Sequence, residues 1–177
     1  MGVLGKIVGG TLGFALGGPL GAIAGAAFGH VFDKSEDVYL SDRLEDRQGP
    51  AHQGESSPFT FYVAAFSMLA KLVNSDGAVA RSEMDAVKSF MVNDLNLDPY
   101  GRKIAEDIFA AALQSRDRFE DFAGQFYRAF HNQPQLLELM ADILFKVAAA
   151  DGTLNETETR MIRTAMALFH LDEGLQQ

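Results

Sequence analysis

From Ser57 onward the apolar residues recur at helical spacing, and start signals fall between the apolar runs at regular distances. Ser57-Pro58 predicts a helix running to about Val73, and Asp98-Pro99 opens another that carries Ile104, Ile108, Phe109 and Leu113. Phe119, Phe122, Phe126, Tyr127 and Phe130 form a stripe on a third, the spacing any buried helix requires. Asn132 and Pro134 begin a fourth through Leu137, Met140, Ile143, Leu144 and Val147, and Asn155 with Glu158 makes a box-like cap for the last. With one more after Gly77 the count is six, and no alternating strand pattern competes, so an all-α bundle is expected.

Within that bundle the sequence repeats at an offset of 75 residues. Lys71, Asp76, Gly77, Val79 and Glu83 align with Lys146, Asp151, Gly152, Leu154 and Glu158, and Val87 and Met91 align with Ile162 and Met166. Leu95-Asn96-Leu97-Asp98 then recurs as Phe169-His170-Leu171-Asp172 with one residue fewer between, which marks a duplication. After Asp98 the first copy continues into a full helix, whereas the second stops at Gln177, so either a last helix is missing or a partner supplies its packing.

The opening of the chain follows a different rule. No Asp, Glu, Lys or Arg occurs from Ile7 to Phe32. As a helix this run covers about 39 Å, more than the roughly 30 Å hydrocarbon core of a bilayer. Gly5, Gly9, Gly13, Gly17, Gly21, Gly25 and Gly29 recur every four residues and lay a bare stripe along one helix face. In lipid such a stripe lets two backbones approach closely, so self-association of this anchor is expected. Gly17-Gly18-Pro19 predicts a kink. A kinked single span is the leading expectation, with a re-entrant hairpin, an interfacial helix, a flexible tail or a signal peptide cleaved near Ala24-Gly25-Ala26 as alternatives. Lys34, Arg43 and Arg47 against Lys6 and the α-amino group favour a cytoplasmic C-terminal domain. Asp33, Glu36, Asp37, Asp42, Glu45 and Asp46, with breakers at Gln48-Gly49-Pro50, make an acidic linker. The expected division is an anchor over residues 1–32, a linker over 33–57 and a helical domain over 58–177. Because the apolar stripes begin at Phe59, the domain is expected to fold without residues 1–32.

Charge and composition narrow the function. A net charge of -9 leaves no basic footprint for nucleic acid. With no cysteine there is no thiolate nucleophile, disulfide or Cys-based zinc site. Phosphate-loop, His-Glu-x-x-His and Gly-x-Ser-x-Gly motifs are absent, and His131 and His170 fall at helix ends as surface residues, so a non-enzymatic protein is expected.

The helix, Asp-Gly turn, aliphatic, Glu, helix unit, present twice between about Phe59 and Leu171, resembles the TerB-like family of tellurite-resistance proteins and of membrane-anchored DnaJ-like co-chaperones of the DjlA type. Gly5-Lys6-Ile7 and Gly29-His30-Val31-Phe32-Asp33-Lys34 resemble the ends of the co-chaperone's anchor. The resemblance implies a duplicated TerB-like bundle of six to seven helices behind an N-terminal glycine-zipper transmembrane helix. It also implies a single pass through a bacterial inner membrane, anchor-driven dimerisation and protein partners. A J domain stimulates Hsp70 through His-Pro-Asp, and none of His30, His52, His131 and His170 is followed by Pro-Asp. The chain is therefore expected to be either the front part of a co-chaperone or a free-standing relative.

Asp76, Glu83, Asp151 and Glu158 are the candidate metal ligands. Counted against an EF-hand loop, the Asp residues stand at position 5, Gly77 and Gly152 at 6, and the Glu residues at 12, but Leu72 or Val147 stands at position 1. Half a loop cannot hold calcium tightly alone. Two readings remain: each Asp caps its turn while each Glu steadies a helix start or pairs with Lys71 or Lys146, or the two turns meet and share one Mg²⁺ or Ca²⁺.

Overall fold

The computed structural model describes residues 17–32 and 58–171. Seven α-helices follow one another: α1 Gly18–Phe32, α2 Pro58–Val73, α3 Arg81–Ser89, α4 Pro99–Gln114, α5 Phe119–Phe130, α6 Pro134–Ala148 and α7 Glu156–Leu168. Among the described residues there is no strand. The six helices expected after Ser57 all form, and the four with start signals at Pro58, Pro99, Pro134 and Asn155 begin where those signals place them.

The core is organised around α2. Phe61, Val63, Ala64, Ala65, Phe66, Met68, Leu69, Ala70, Leu72 and Val73 are all buried, so the helix is apolar on every side and is wrapped by its neighbours. It packs against α1, α4, α5 and α6. The α5 stripe meets it through aromatic rings: Phe61 lies 5.9 Å from both Phe126 and Phe130, whose own centroids are 4.7 Å apart. Phe126 also reaches Phe169 beyond the end of α7, at 5.3 Å. Tilted pairs of this kind add to the area they bury.

The duplication survives in backbone detail. Gly77 and Gly152 adopt φ of +85° and +88°, and Asn96 and His170 adopt +48° and +57°. Both pairs are equivalent positions of the repeat. Asn96 and His170 reverse the chain after α3 and α7, where a left-handed residue lets later N–H groups return to the last helical carbonyls. Leu97 N–H bonds to Met91 O at 2.9 Å and Leu171 N–H to Met166 O at 3.0 Å, again equivalent pairs. The residue gained by the first copy is absorbed between them: Phe90–Asp94 forms a π turn, in which Leu95 N–H reaches Phe90 O, whereas Phe169 N–H reaches Ala165 O one residue nearer. A π turn is how a helix takes in one residue without losing register on either side.

The core is larger than the stripes after Phe59 foretell. Leu20, Ile23, Ala24 and Ala27 of α1 are buried to 3 % exposure or less, and α1 packs against α2, α4 and α5. Each large apolar side chain so buried contributes about 2 kcal/mol. A break does occur at Gly17-Gly18-Pro19, but glycine makes it. Gly17 and Gly18 take φ of +58° and +54°, and Pro19 sits in the first turn of α1, where its missing N–H costs nothing. No described helix is long and apolar enough to cross a membrane. The rest of the predicted span, with Gly5, Gly9 and Gly13, and the acidic linker lie outside the described residues.

Candidate functional site

The turn after α2 and the turn after α6 lie against each other. Each is closed by its aspartate: Asp76 Oδ1 accepts from Ala78 N–H at 2.9 Å, and Asp151 Oδ1 accepts from Thr153 N–H at 2.8 Å. Each glutamate reaches back to the residue before its helix, Glu83 Oε2 to Ala80 N–H and Glu158 Oε2 to Asn155 N–H, both at 2.9 Å. Asn155 completes a full capping box by accepting from Glu158 N–H at 2.8 Å. Ala80 has no side chain with which to do so. Asn155 Nδ2 also lies 3.4 Å from Ser75 Oγ and ties the second turn to the first.

The two glutamates converge. Glu83 and Glu158 are 5 % and 6 % exposed, and Glu158 lies beside Glu83 closely enough to act on its carboxyl. Burial pushes the Glu83 carboxyl above the usual carboxylate range; the Ala80 N–H opposes this, while Glu158 beside it and Asp151 nearby push it further up. A second carboxylate beside it makes the charged form of Glu83 harder to hold, which acts in the same direction as its burial. Of the four acids singled out in the sequence, the structure thus brings Glu83 and Glu158 together with Asp151 close by. Among the described residues, no group of three or more His, Asp or Glu side chains is arranged to hold a metal ion.

The lysines that keep register in the repeat do not pair with these glutamates. Lys71 Nζ donates to Ser115 O at 2.7 Å, past the end of α4, and burial lowers its pKa while Asp117 partly restores it. Lys146 pairs with Asp142 at 2.8 Å on the outer face of α6. Equivalent positions have taken separate tasks. Val79 and Leu154, the aliphatics that follow each Asp-Gly turn, are 38 % and 39 % exposed.

A second feature was not legible as a site. Gln125, on α5, points at the start of α1: its Oε1 accepts from Leu20 N–H at 2.9 Å and its Nε2 donates to Gly17 O at 2.7 Å. The first turn of a helix leaves N–H groups without internal partners, and an N-cap normally serves one with its own side chain. Gly17 has none, so the cap comes from 108 residues away. Within the α5 stripe, Gln125 stands out only as a polar residue between Phe122 and Phe126.

The family described as tellurite resistance protein TerB matches residues 62–175, and the chain belongs to it. The family described as the co-chaperone DjlA transmembrane domain matches residues 1–52. The chain is similar to Co-chaperone protein DjlA of Vibrio parahaemolyticus, 29 % identical over 178 residues that make up 100 % of this chain and 62 % of that protein. It is likewise 32 % identical over 158 residues to Co-chaperone protein DjlA of Aliivibrio fischeri, covering 89 % of this chain and 55 % of the relative. The chain thus spans about 62 % of the length of the first of these relatives. No solved structure matches. The TerB-like identity and the DjlA-like membrane segment expected from the sequence are both found, and the chain is a TerB-family protein with a membrane domain at its front.

Proposed function

We propose that this chain is a membrane-held, non-enzymatic interaction module of the bacterial inner membrane, with its TerB-like domain on the cytoplasmic side. The observation that carries this reading is the order of parts: a DjlA-type transmembrane match over residues 1–52 leads directly into a TerB match over 62–175, an order shared with co-chaperones along the whole chain. The exposed aliphatics Val79 and Leu154, one after each Asp-Gly turn, are the contact residues for a protein partner. Substituting both by Asp leaves the buried acids and the core in place. In native membranes, chemical crosslinking from the full chain should capture a discrete protein that Val79→Asp with Leu154→Asp no longer captures. Capture that is equal for both proteins, with unchanged melting temperatures, refutes this assignment. The glycine stripe supports self-association through the anchor as part of the same reading.

A second reading has the Glu83–Glu158 pair hold a divalent cation, Mg²⁺ or Ca²⁺. It is favoured by the convergence of the two glutamates from separate repeats. Binding to the folded state alone raises the melting temperature by mass action. If millimolar magnesium, calcium, manganese and zinc all leave it unchanged, this reading is wrong.

A further inference from the structure

Residues 17–27 have two incompatible sets of partners. In the fold they fill a groove between α2, α4 and α5, with Leu20, Ile23, Ala24 and Ala27 buried and Leu20 N–H held by Gln125. The same residues lie inside the segment that matches a transmembrane domain. A continuous span through them requires right-handed φ at Gly17 and Gly18 and an internal bond from Leu20 N–H to Leu16 O. The groove requires left-handed φ at both glycines, and Leu20 N–H then bonds to Gln125 instead. One N–H serves one of the two arrangements at a time. The span carries Pro19 in its interior, where the ring removes a hydrogen bond and clashes with the preceding turn. The groove places Pro19 at a helix start.

We infer that α1 exchanges between the bilayer and the groove, which is a docking site for this chain's own anchor segment, with Gly17-Gly18 as the hinge and Gln125 as the latch. The inference rests on the membrane reading above. Gln125 is specific for the docked form because it satisfies the Leu20 N–H, which is without a helical partner only when the helix starts at Gly18, and its Nε2 also donates to the Gly17 carbonyl, which accepts from Gly21 N–H as well. Two glycines in succession are what such a hinge needs, since only glycine adopts both hands at small cost. A Cβ at Gly17 meets nothing within 4 Å, so Gly17→Ala opposes the docked form through φ alone. At Gly18 a Cβ would come within 3.2 Å of Gln125 Oε1, so that position is a less clean probe.

The chain has no cysteine, and Ala26 is exposed in the docked helix, so a thiol introduced there reports which environment α1 occupies. Full-length Ala26→Cys is reacted with a water-soluble maleimide, without lipid and in unsealed phospholipid vesicles, with the exposed position of Glu156→Cys as the reference. Without lipid, position 26 should react as fast as position 156. In vesicles the protein should float with the lipid and react at an intermediate rate, and Gly17→Ala and Gln125→Ala should each slow it further, Gly17→Ala by about tenfold from the cost of left-handed φ at alanine. If the protein floats but the rate at position 26 is indifferent to lipid, or to both variants, α1 does not exchange and the inference falls. Failure to float overturns the membrane reading itself.

Discussion

Replacing Glu83 by glutamine separates the two tasks that this side chain performs. Its Oε2 accepts the Ala80 N–H, and its carboxyl presses against that of Glu158 in a site almost closed to water. The raised pKa means that the folded chain keeps a proton that the unfolded chain releases. The stabilising contribution of Glu83 is therefore complete below the ordinary glutamate range and is lost as pH rises through its raised folded value. Glutamine reproduces the protonated acid: its carbonyl oxygen accepts from Ala80 N–H and its amide donates to Glu158. Exchanging a strained carboxyl contact for a hydrogen bond to a charged partner should add about 1 kcal/mol at about pH 8, or about 4 °C for a domain of this size. At about pH 4 the gain should vanish, because the native residue is then protonated too. Glu83→Ala instead loses the acceptor for Ala80 N–H and should cost about 1 kcal/mol at about pH 4 and less at about pH 8, where the native carboxyl contributes less. Thermal melting by circular dichroism across that range reads all three proteins. Glutamine destabilising at high pH as much as alanine would refute the crowding of the Glu83 carboxyl and would favour a charged pair held by a cation.

Ile23→Ala should cost about 2–4 kcal/mol in urea unfolding of the full chain without lipid, since Ile23 is 2 % exposed in the core; no loss would place α1 outside it. Gly152→Ala should cost about 1 kcal/mol in thermal melting, because its φ is +88° while a Cβ there meets nothing. Deleting the exposed Asn93 should turn the π turn into an α turn like that of the second copy and change stability by less than about 1 kcal/mol; a loss several times larger would mean that the extra residue does more than fill the turn.

The sequence was most informative where local chemistry decides structure. Pro58, Asp98-Pro99, Pro134 and the Asn155 with Glu158 box each mark a helix start, because caps and proline act within one turn of where they stand. The two halves of the repeat also share backbone geometry, down to the left-handed glycines. Whether the two turns meet stays open between two readings in the sequence, since alignment of two copies says nothing about which of their faces come together. Lys71 and Lys146 show the converse: they align, yet one serves the end of α4 and the other pairs along its own helix. The place of α1 in the core was hidden for a physical reason. A helix rich in alanine and glycine suits a lipid bilayer and a tight protein groove equally well, and the residue that distinguishes them, Gln125, lies far along the chain.

The central claim is a TerB-like domain held on the cytoplasmic face of a membrane by the chain's first residues. It is tested most directly by protease accessibility of a C-terminal epitope on the full chain, in intact spheroplasts and in inverted inner-membrane vesicles after carbonate washing. The epitope should stay with the washed membranes, survive protease in spheroplasts and be lost in inverted vesicles. Release of the chain by carbonate, or loss of the epitope in intact spheroplasts, would contradict the account.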